Sequence, residues 1–501
     1  MAADRQDPIV AFLSDPAAHG GARVDVVWTH MSVVFLADDR VYKLKRAVRY
    51  PFADFSTAAL RRRACDNELA VNRRAAPALY RRVRALCVVD GVAMWAEDAP
   101  ESAPCDYVVE MARFEADDQF DLMIAQGRLT PDHVRALADV VAATHASGPA
   151  GEGRSSAALI DDLVQALEGG ALGAAQPEAT AAWCAQIRRC ETLTAAARAA
   201  RQAGGFVRRC HGDLHLANIC LFEGRPTPFD AIEFDDAIAT VDVLFDLAFT
   251  VADLVRYGRE DFANGLVNRY LAITEDYGGA SLLAFYASLR AATRAMVLSL
   301  PTAPTGERAR AGAYLDDAVG FLEPPATPRL IVCGGYSGSG KSTAARALAA
   351  SWGDPIGGIV IASDPARKRR AGVMPERPLG ESAYTAAVSE AVYETMFAHA
   401  RTVLAAGRTA ILDATFGHAG SQQAAAALAR ACGVRFHGLW FAAPPEILRA
   451  RIAARRDDAS DATPDLVDRQ IAAFVVPESW TVVDAAGAVQ STLAGARAAL
   501  S

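Results

Sequence analysis

No Cys-x-x-Cys pair occurs in the 501 residues, although nine cysteines are scattered along them. That scatter offers neither a zinc cluster nor a disulfide framework, and it points to a reducing cytoplasm. Long apolar runs are missing too. The most apolar helical stretch, Val241 to Val255, is broken by Asp242, Asp246 and Asp253, so no membrane span is expected. Met1 to Gly20 carries acids and no long apolar core, which argues against a secretory signal. Positive charge is not in excess. The formal charge of -8 gives no global attraction to nucleic acid or anionic membrane, and neither is expected as a partner. A composition of 52% hydrophobic and 22% charged residues argues against disorder, and the length implies two or three domains.

What is present begins with strand-like patterning. Val24 to Trp28, Ser32 to Leu36 and Arg40 to Leu44 mix β-branched and aromatic residues with polar ones, and Asp38-Asp39 suits a hairpin turn. Lys43 sits in the third strand and could reach nucleotide phosphates from there, and Lys45 faces the same way. The next helix, Ser56 to Ala75, offers Glu68 to orient such a lysine, with Asp66 as a neighbour. No Gly-rich phosphate loop precedes Lys43; the turn is Thr29 to Ser32. Leu86 to Val89 and Asp106 to Met111 are strand-like, and the second would suit a hinge between lobes. Pro131 to Ala146, Ser155 to Leu167 and Glu178 to Gln202 have helical apolar spacing.

The stretch His211 to Asn218 reads His-Gly-Asp-Leu-His-Leu-Ala-Asn and leads into the apolar run Ile219 to Phe222. It spaces Asp213 and Asn218 for phosphoryl transfer: the Asp accepts a hydrogen bond from an acceptor hydroxyl, and the Asn oxygen helps hold Mg²⁺ on nucleotide phosphates. After a turn at Glu223, Pro228 to Asp236 is expected to return as a second strand. It would bring Asp230, or else Glu233, beside Asn218 as a hard oxygen ligand. Asp242 and Asp246 open a helix, as caps or as a brace for the loop.

Together, His211 to Asn218, the hairpin to Asp230 and Asp242-x-x-x-Asp246 resemble the aminoglycoside phosphotransferase and choline kinase group over about residues 20 to 320. The resemblance implies an N-terminal α+β, protein-kinase-like, two-lobed fold. It also implies Asp213 as catalytic base, Asn218 and Asp230 as Mg²⁺ ligands, and Lys43 with Glu68 as the nucleotide ion pair. The group's Ile-Asp pair corresponds here to Phe229-Asp230 or to Ile232-Glu233, so both acids remain candidates.

Glu323 to Arg329 holds three prolines and marks a linker, dividing the chain into expected domains 1–325 and 326–501. Beyond it, Arg329 to Cys333 reads as a buried strand, Gly335 to Ser342 as Gly-Tyr-Ser-Gly-Ser-Gly-Lys-Ser, and Thr343 opens an Ala-rich helix. This is the Walker A pattern in its proper context. Gly335, Gly338 and Gly340, with Ser337 and Ser339 between them, let backbone N–H groups surround a phosphate. Lys341 neutralises it and Ser342 binds Mg²⁺.

Ile359 to Asp364 is a second strand ending in an acid on the functional rim. Asp364 could activate an acceptor hydroxyl, with Arg367 orienting acceptor or phosphate. Asp413 ends a third strand and is followed by Ala-Thr rather than Glu, which favours transfer over motor-type hydrolysis. Arg451 and Arg455, one helical turn apart, could close on the phosphates. These features resemble the small P-loop kinases (gluconate kinase, polynucleotide 5′-kinase and zeta-toxin-type enzymes) over about residues 328 to 480, and imply a C-terminal α/β parallel sheet. The pair of domains in this order is similar to the bacterial bifunctional aminoglycoside phosphotransferase/ATP-binding family.

The expected function is a bifunctional phosphotransferase using ATP and Mg²⁺ on hydroxyl groups of small molecules. Two alternatives stand beside it. One domain could be a nucleotide-binding regulator of the other, the N-terminal one being favoured because it lacks the Gly-rich loop. Or the C-terminal domain could be a nucleic-acid 5′-kinase, which the acidic chain and the absence of aromatics among Arg367 to Arg370 disfavour.

Overall fold

The computed structural model of the chain describes residues 6–50, 53–301, 303, 305–324, 326–454 and 460–500. By Cα proximity it forms two compact units, residues 1–159 with 199–250, and residues 160–198 with 251–501.

The first unit is built on a six-stranded antiparallel sheet in the spatial order Val24–Trp28, Ser32–Ala37, Arg40–Lys45, Asp106–Ala112, Tyr80–Val89, Val92–Trp95. Strand alternation sorts its residues between two cores. Val33, Phe35, Tyr42 and Leu44 pack with Leu86 and Val108 on one face. Val41 and Val109 pack with Cys65 and Leu69 of helix Ala58–Asn72 on the other. Lys43 and Lys45 share the parity of Val41 and so lie under that helix. Thr57 caps the helix by accepting the Leu60 N–H. Arg61, fully buried, ties it to the sheet through Asp106 at 2.7 Å and to the segment before the helix through the Phe55 carbonyl at 3.0 Å.

Two short antiparallel ribbons carry the loop His211 to Asn218. One pairs Val207–Arg209 with Thr240–Asp242, the other Ile219–Phe222 with Arg225–Pro228. Here one expectation needs correcting. The returning strand is Arg225–Pro228, not Pro228 to Asp236, because Asp230 lies in the left-handed region at φ 61° and breaks an extended run. Asp242 ends a strand and caps the helix Val243–Arg256, accepting the Leu244 N–H at 2.9 Å while clamping Arg201 at 2.5 and 2.8 Å.

The second unit contains a five-stranded parallel sheet in the order Ile359–Ala362, Ala410–Asp413, Arg329–Gly335, Arg435–Ala442, Thr481–Asp484. Its central strands read as near-continuous apolar runs because both faces are covered. Helices Lys341–Ala350 and Val489–Ala498 supply one cover. The edge strand Ile359–Ala362 is met by helix Glu260–Thr274. Asn268 accepts the Val360 N–H at 2.6 Å and donates to the Gly358 carbonyl at 3.1 Å, and Asn264 donates to the Ile356 and Gly358 carbonyls. Among the described residues, no helix is long and apolar enough to cross a membrane.

Candidate active sites

The loop bearing Asp213 is held from below by one carboxylate. Asp246, fully buried, accepts the Gly212 N–H at 2.8 Å and the His211 N–H at 3.2 Å, and meets His145 at 3.1 Å. Thr250 adds a bond to the Leu214 carbonyl at 2.7 Å. Gly212 is at φ 85°, and a Cβ there would come within 3.0 Å of Ala239 and Ile232, so glycine is required by both conformation and space. Asp213 is left with its side chain 40% exposed. The Asn218 amide nitrogen donates to the Asp213 carbonyl at 2.9 Å and carboxylate at 3.1 Å, which leaves its Oδ1 as the atom able to meet a cation.

Asp230 and Glu233 leave this loop toward the sheet, where they form a ladder with Lys43, Lys45 and Glu68. Lys43 contacts Asp230 and, at 2.9 Å, Glu68; Lys45 contacts Glu233 and, at 2.6 Å, Glu68. The two candidates for each role therefore occupy different depths. Asp230 is 45% exposed beside Lys43, whereas Glu233 and Lys45 are buried. Burial opposes the charge on both lysines, but the neighbouring acids outweigh it and raise both above the usual ammonium range. Burial likewise opposes ionisation of Glu68 and Asp230, and the lysines bring both below the ordinary carboxylate range. Glu233 goes the other way: burial pushes it up, against Lys45. The Asp230 N–H donates to the Tyr80 hydroxyl oxygen at 3.0 Å and the Ala231 N–H to Asn72 at 2.9 Å, so the ladder is anchored at its backbone as well. Tyr80 and Asn72 escaped the sequence reading, because nothing local marks a tyrosine or asparagine as a loop anchor.

In the second unit, the strand Arg329–Gly335 delivers the loop and helix Lys341–Ala350 follows it. Gly335 at φ 143° lies where a Cβ would meet the Phe441 carbonyl at 2.5 Å, and Gly338 and Gly340 are also left-handed. Ser337 is bonded to Gln470, whose oxygen accepts the Ser337 N–H at 2.8 Å. Ser339 is fully buried with its hydroxyl unpartnered among the described residues. Lys341 and Ser342 are half-buried and Thr343 is exposed.

Asp364 and Asp413 stand at the carboxyl ends of neighbouring strands, where Ala362 and Asp413 are in register. Burial raises Asp364 above its ordinary range; Lys341 opposes that rise and Asp413 adds to it. One Asp413 carboxylate oxygen is buried with no hydrogen-bond partner among the described residues. A hard cation, or water bound to it, fits such an atom, and Ser342 supplies a second oxygen nearby in sequence to Lys341. The sequence signal for Asp413 at the site is its place at the end of strand Ala410–Asp413.

The arginines are placed differently. Arg367 is buried and donates to the Ala383 carbonyl at 2.6 Å and, at 3.4 Å, to Ser389, with its guanidinium over the Tyr384 ring. Arg451 donates to the carbonyls of Ala485 at 2.7 Å and Gly487 at 3.1 Å, so a role at the phosphates would require it to leave both. Arg455 lies outside the described residues.

A helix-braced Asp–Asn loop in the unit that carries the Lys43–Glu68 pair, and a Walker A loop on a parallel sheet, are nucleotide-using arrangements. The family models agree: residues 36–283 match the phosphotransferase enzyme family and residues 330–477 an AAA domain. The uncharacterized protein Rv2004c of Mycobacterium tuberculosis is 30% identical over 456 residues, 88% of each chain, and a Mycobacterium bovis protein matches to the same extent. The chain belongs to this two-part kinase-like family and is a phosphotransferase. Among solved structures, a choline/ethanolamine kinase family protein from Mesorhizobium loti is similar at 16% identity, covering 63% of this chain and 98% of its own, with a TM-score of 0.38. A gluconokinase from Sinorhizobium meliloti is similar at 20%, covering 35% and 94%, with a TM-score of 0.24.

Proposed function

We propose that the chain carries two separate phosphotransferase centres, each using its own Mg·ATP and each acting on a hydroxyl of a small molecule. The assignment divides the chain near residue 325. The observation that carries it is the pair of complete charge sets: Asp213, Asn218, Asp230, Lys43 and Glu68 in one place, and Lys341, Ser342, Asp364 and Asp413 in the other. At either centre the acceptor hydroxyl gives its proton to an aspartate, Asp213 or Asp364, as its oxygen bonds to the γ-phosphorus. The bond from that phosphorus to the bridging oxygen breaks, and ADP leaves. Asn218 with Asp230, and Ser342 with Asp413, would hold the metal, which when bound spreads the phosphate charge.

Lys43 is the better phosphate lysine and Asp230 the better ligand, because the alternatives Lys45 and Glu233 are buried away from solvent. Lys45, backed by Glu233, would then hold Glu68 in place. The test is transfer from ATP to a metabolite panel by Asp213→Ala and Lys341→Ala variants of the full chain. Two separable losses are expected. A single loss that removes all turnover would sink the two-centre assignment.

A regulatory first centre is the second reading. The turn Thr29 to Ser32 has no glycine and closes on itself, with the Thr29 N–H on the Ser32 carbonyl and the Ser32 N–H on the Thr29 hydroxyl, both at 2.9 Å. Full turnover in Asp213→Ala with nucleotide binding retained would favour it.

A further inference from the structure

Beside Asp364 the second unit holds an anion that belongs to the protein itself. The Asp461 carboxylate receives Lys368 Nζ on both oxygens, at 2.6 and 2.8 Å. It also accepts the Leu379 N–H at 2.9 Å and the Tyr384 hydroxyl at 2.5 Å. Lys368 is completely buried, and its other hydrogen bond among the described residues is to the Arg377 carbonyl, so its charge calls for an anion there. The neighbouring residue does something complementary: the Ser460 hydroxyl hydrogen-bonds Asp364. A hydroxyl thus rests on the proposed base while an adjacent carboxylate rests on a buried cation.

The spacing follows from one helix. Asp364 and Lys368 lie four residues apart on Ser363–Arg370, which stacks them on one face about 6 Å apart along the axis. We propose that Ser460 and Asp461 occupy the acceptor subsite of the Walker A centre, and that its acceptor is a small hydroxylated anion. Its carboxylate or phosphate takes the place of Asp461 on Lys368, Leu379 and Tyr384, and its hydroxyl takes the place of Ser460 on Asp364. This rests on the assignment of Asp364 as base, and it narrows the acceptor from any alcohol to one with an anionic group a few bonds from the reacting hydroxyl.

Equilibrium binding separates this from transfer. Gluconate, glucose 6-phosphate and neutral glucose are titrated calorimetrically into full-length wild type, Asp461→Ala, and Asp461→Ala/Lys368→Met. Asp461→Asn, which keeps the hydrogen-bond acceptor, controls for folding. Removing the resident anion should tighten binding of at least one anionic probe by about tenfold or more, with glucose unchanged, and the double variant should lose the gain. Whether gluconate or glucose 6-phosphate gains distinguishes a carboxylate from a phosphate acceptor. Equal binding of all three probes, or no gain in either Asp461 variant, overturns the proposal. Because the readout is binding, loss of transfer in the Lys341 variant would bear on the two-centre assignment alone.

Discussion

Glu68 carries two lysines on one carboxylate, and its removal would leave both without their shared partner. Lys43 keeps Asp230 and Lys45 keeps Glu233, so Glu68→Gln should lower chemical-denaturation stability by about 1–3 kcal/mol and abolish turnover at the proposed first centre. Lys45→Met is the informative contrast. It removes a charge buried against Glu233 but leaves Lys43 facing Asp230, so it should affect stability more than nucleotide affinity, whereas Lys43→Met should do the reverse. Gly212→Ala forces a side chain onto Ala239 and Ile232 at a left-handed position, which costs about 1–3 kcal/mol and should appear as a lowered melting temperature.

Asp317 gives a pH signature of its own. Burial raises its carboxyl to about 6, and Arg256 at 3.0 Å only partly opposes it. The folded state therefore binds the proton more tightly than the unfolded one. Stability is fullest below the unfolded value and falls as pH rises through about 6, by roughly 2–3 kcal/mol. Asp317→Asn should flatten this fall in denaturation curves taken across that interval.

At the scale of elements, local patterns and distant contacts divide the credit. Asp213 and Asn218 were legible because their spacing is set within one loop, and Lys341 because the Walker A loop is contiguous between strand and helix. The strand through Pro228 to Asp236 was misread, since alternation cannot reveal that Asp230 turns left-handed. Lys45 facing Glu233, Tyr80 under the Asp230 backbone and Asp461 on Lys368 all join residues far apart in sequence, and no local period encodes them. The edge of the parallel sheet is a further case. Asn268 substitutes for a strand by bonding both Val360 and Gly358, so Asn268→Ala leaves a ladder N–H unpaired. About 1–3 kcal/mol of stability should be lost, with hydrogen exchange at Val360 accelerated.

Over the molecule as a whole, the expected linker and the observed packing divide the chain in different places. Residues 251–320 precede the prolines yet belong by proximity to the unit that holds the Walker A loop. A fragment starting at residue 326 would keep all five parallel strands but bare the outermost one. It should aggregate at concentrations where the full chain stays dispersed, as light scattering would report.

The two asparagines on helix Glu260–Thr274 therefore bear on inheritance as well as on stability. A recombination event at the proline-rich join would pass on a phosphate-binding half with an open margin, ready to pair with any passing strand.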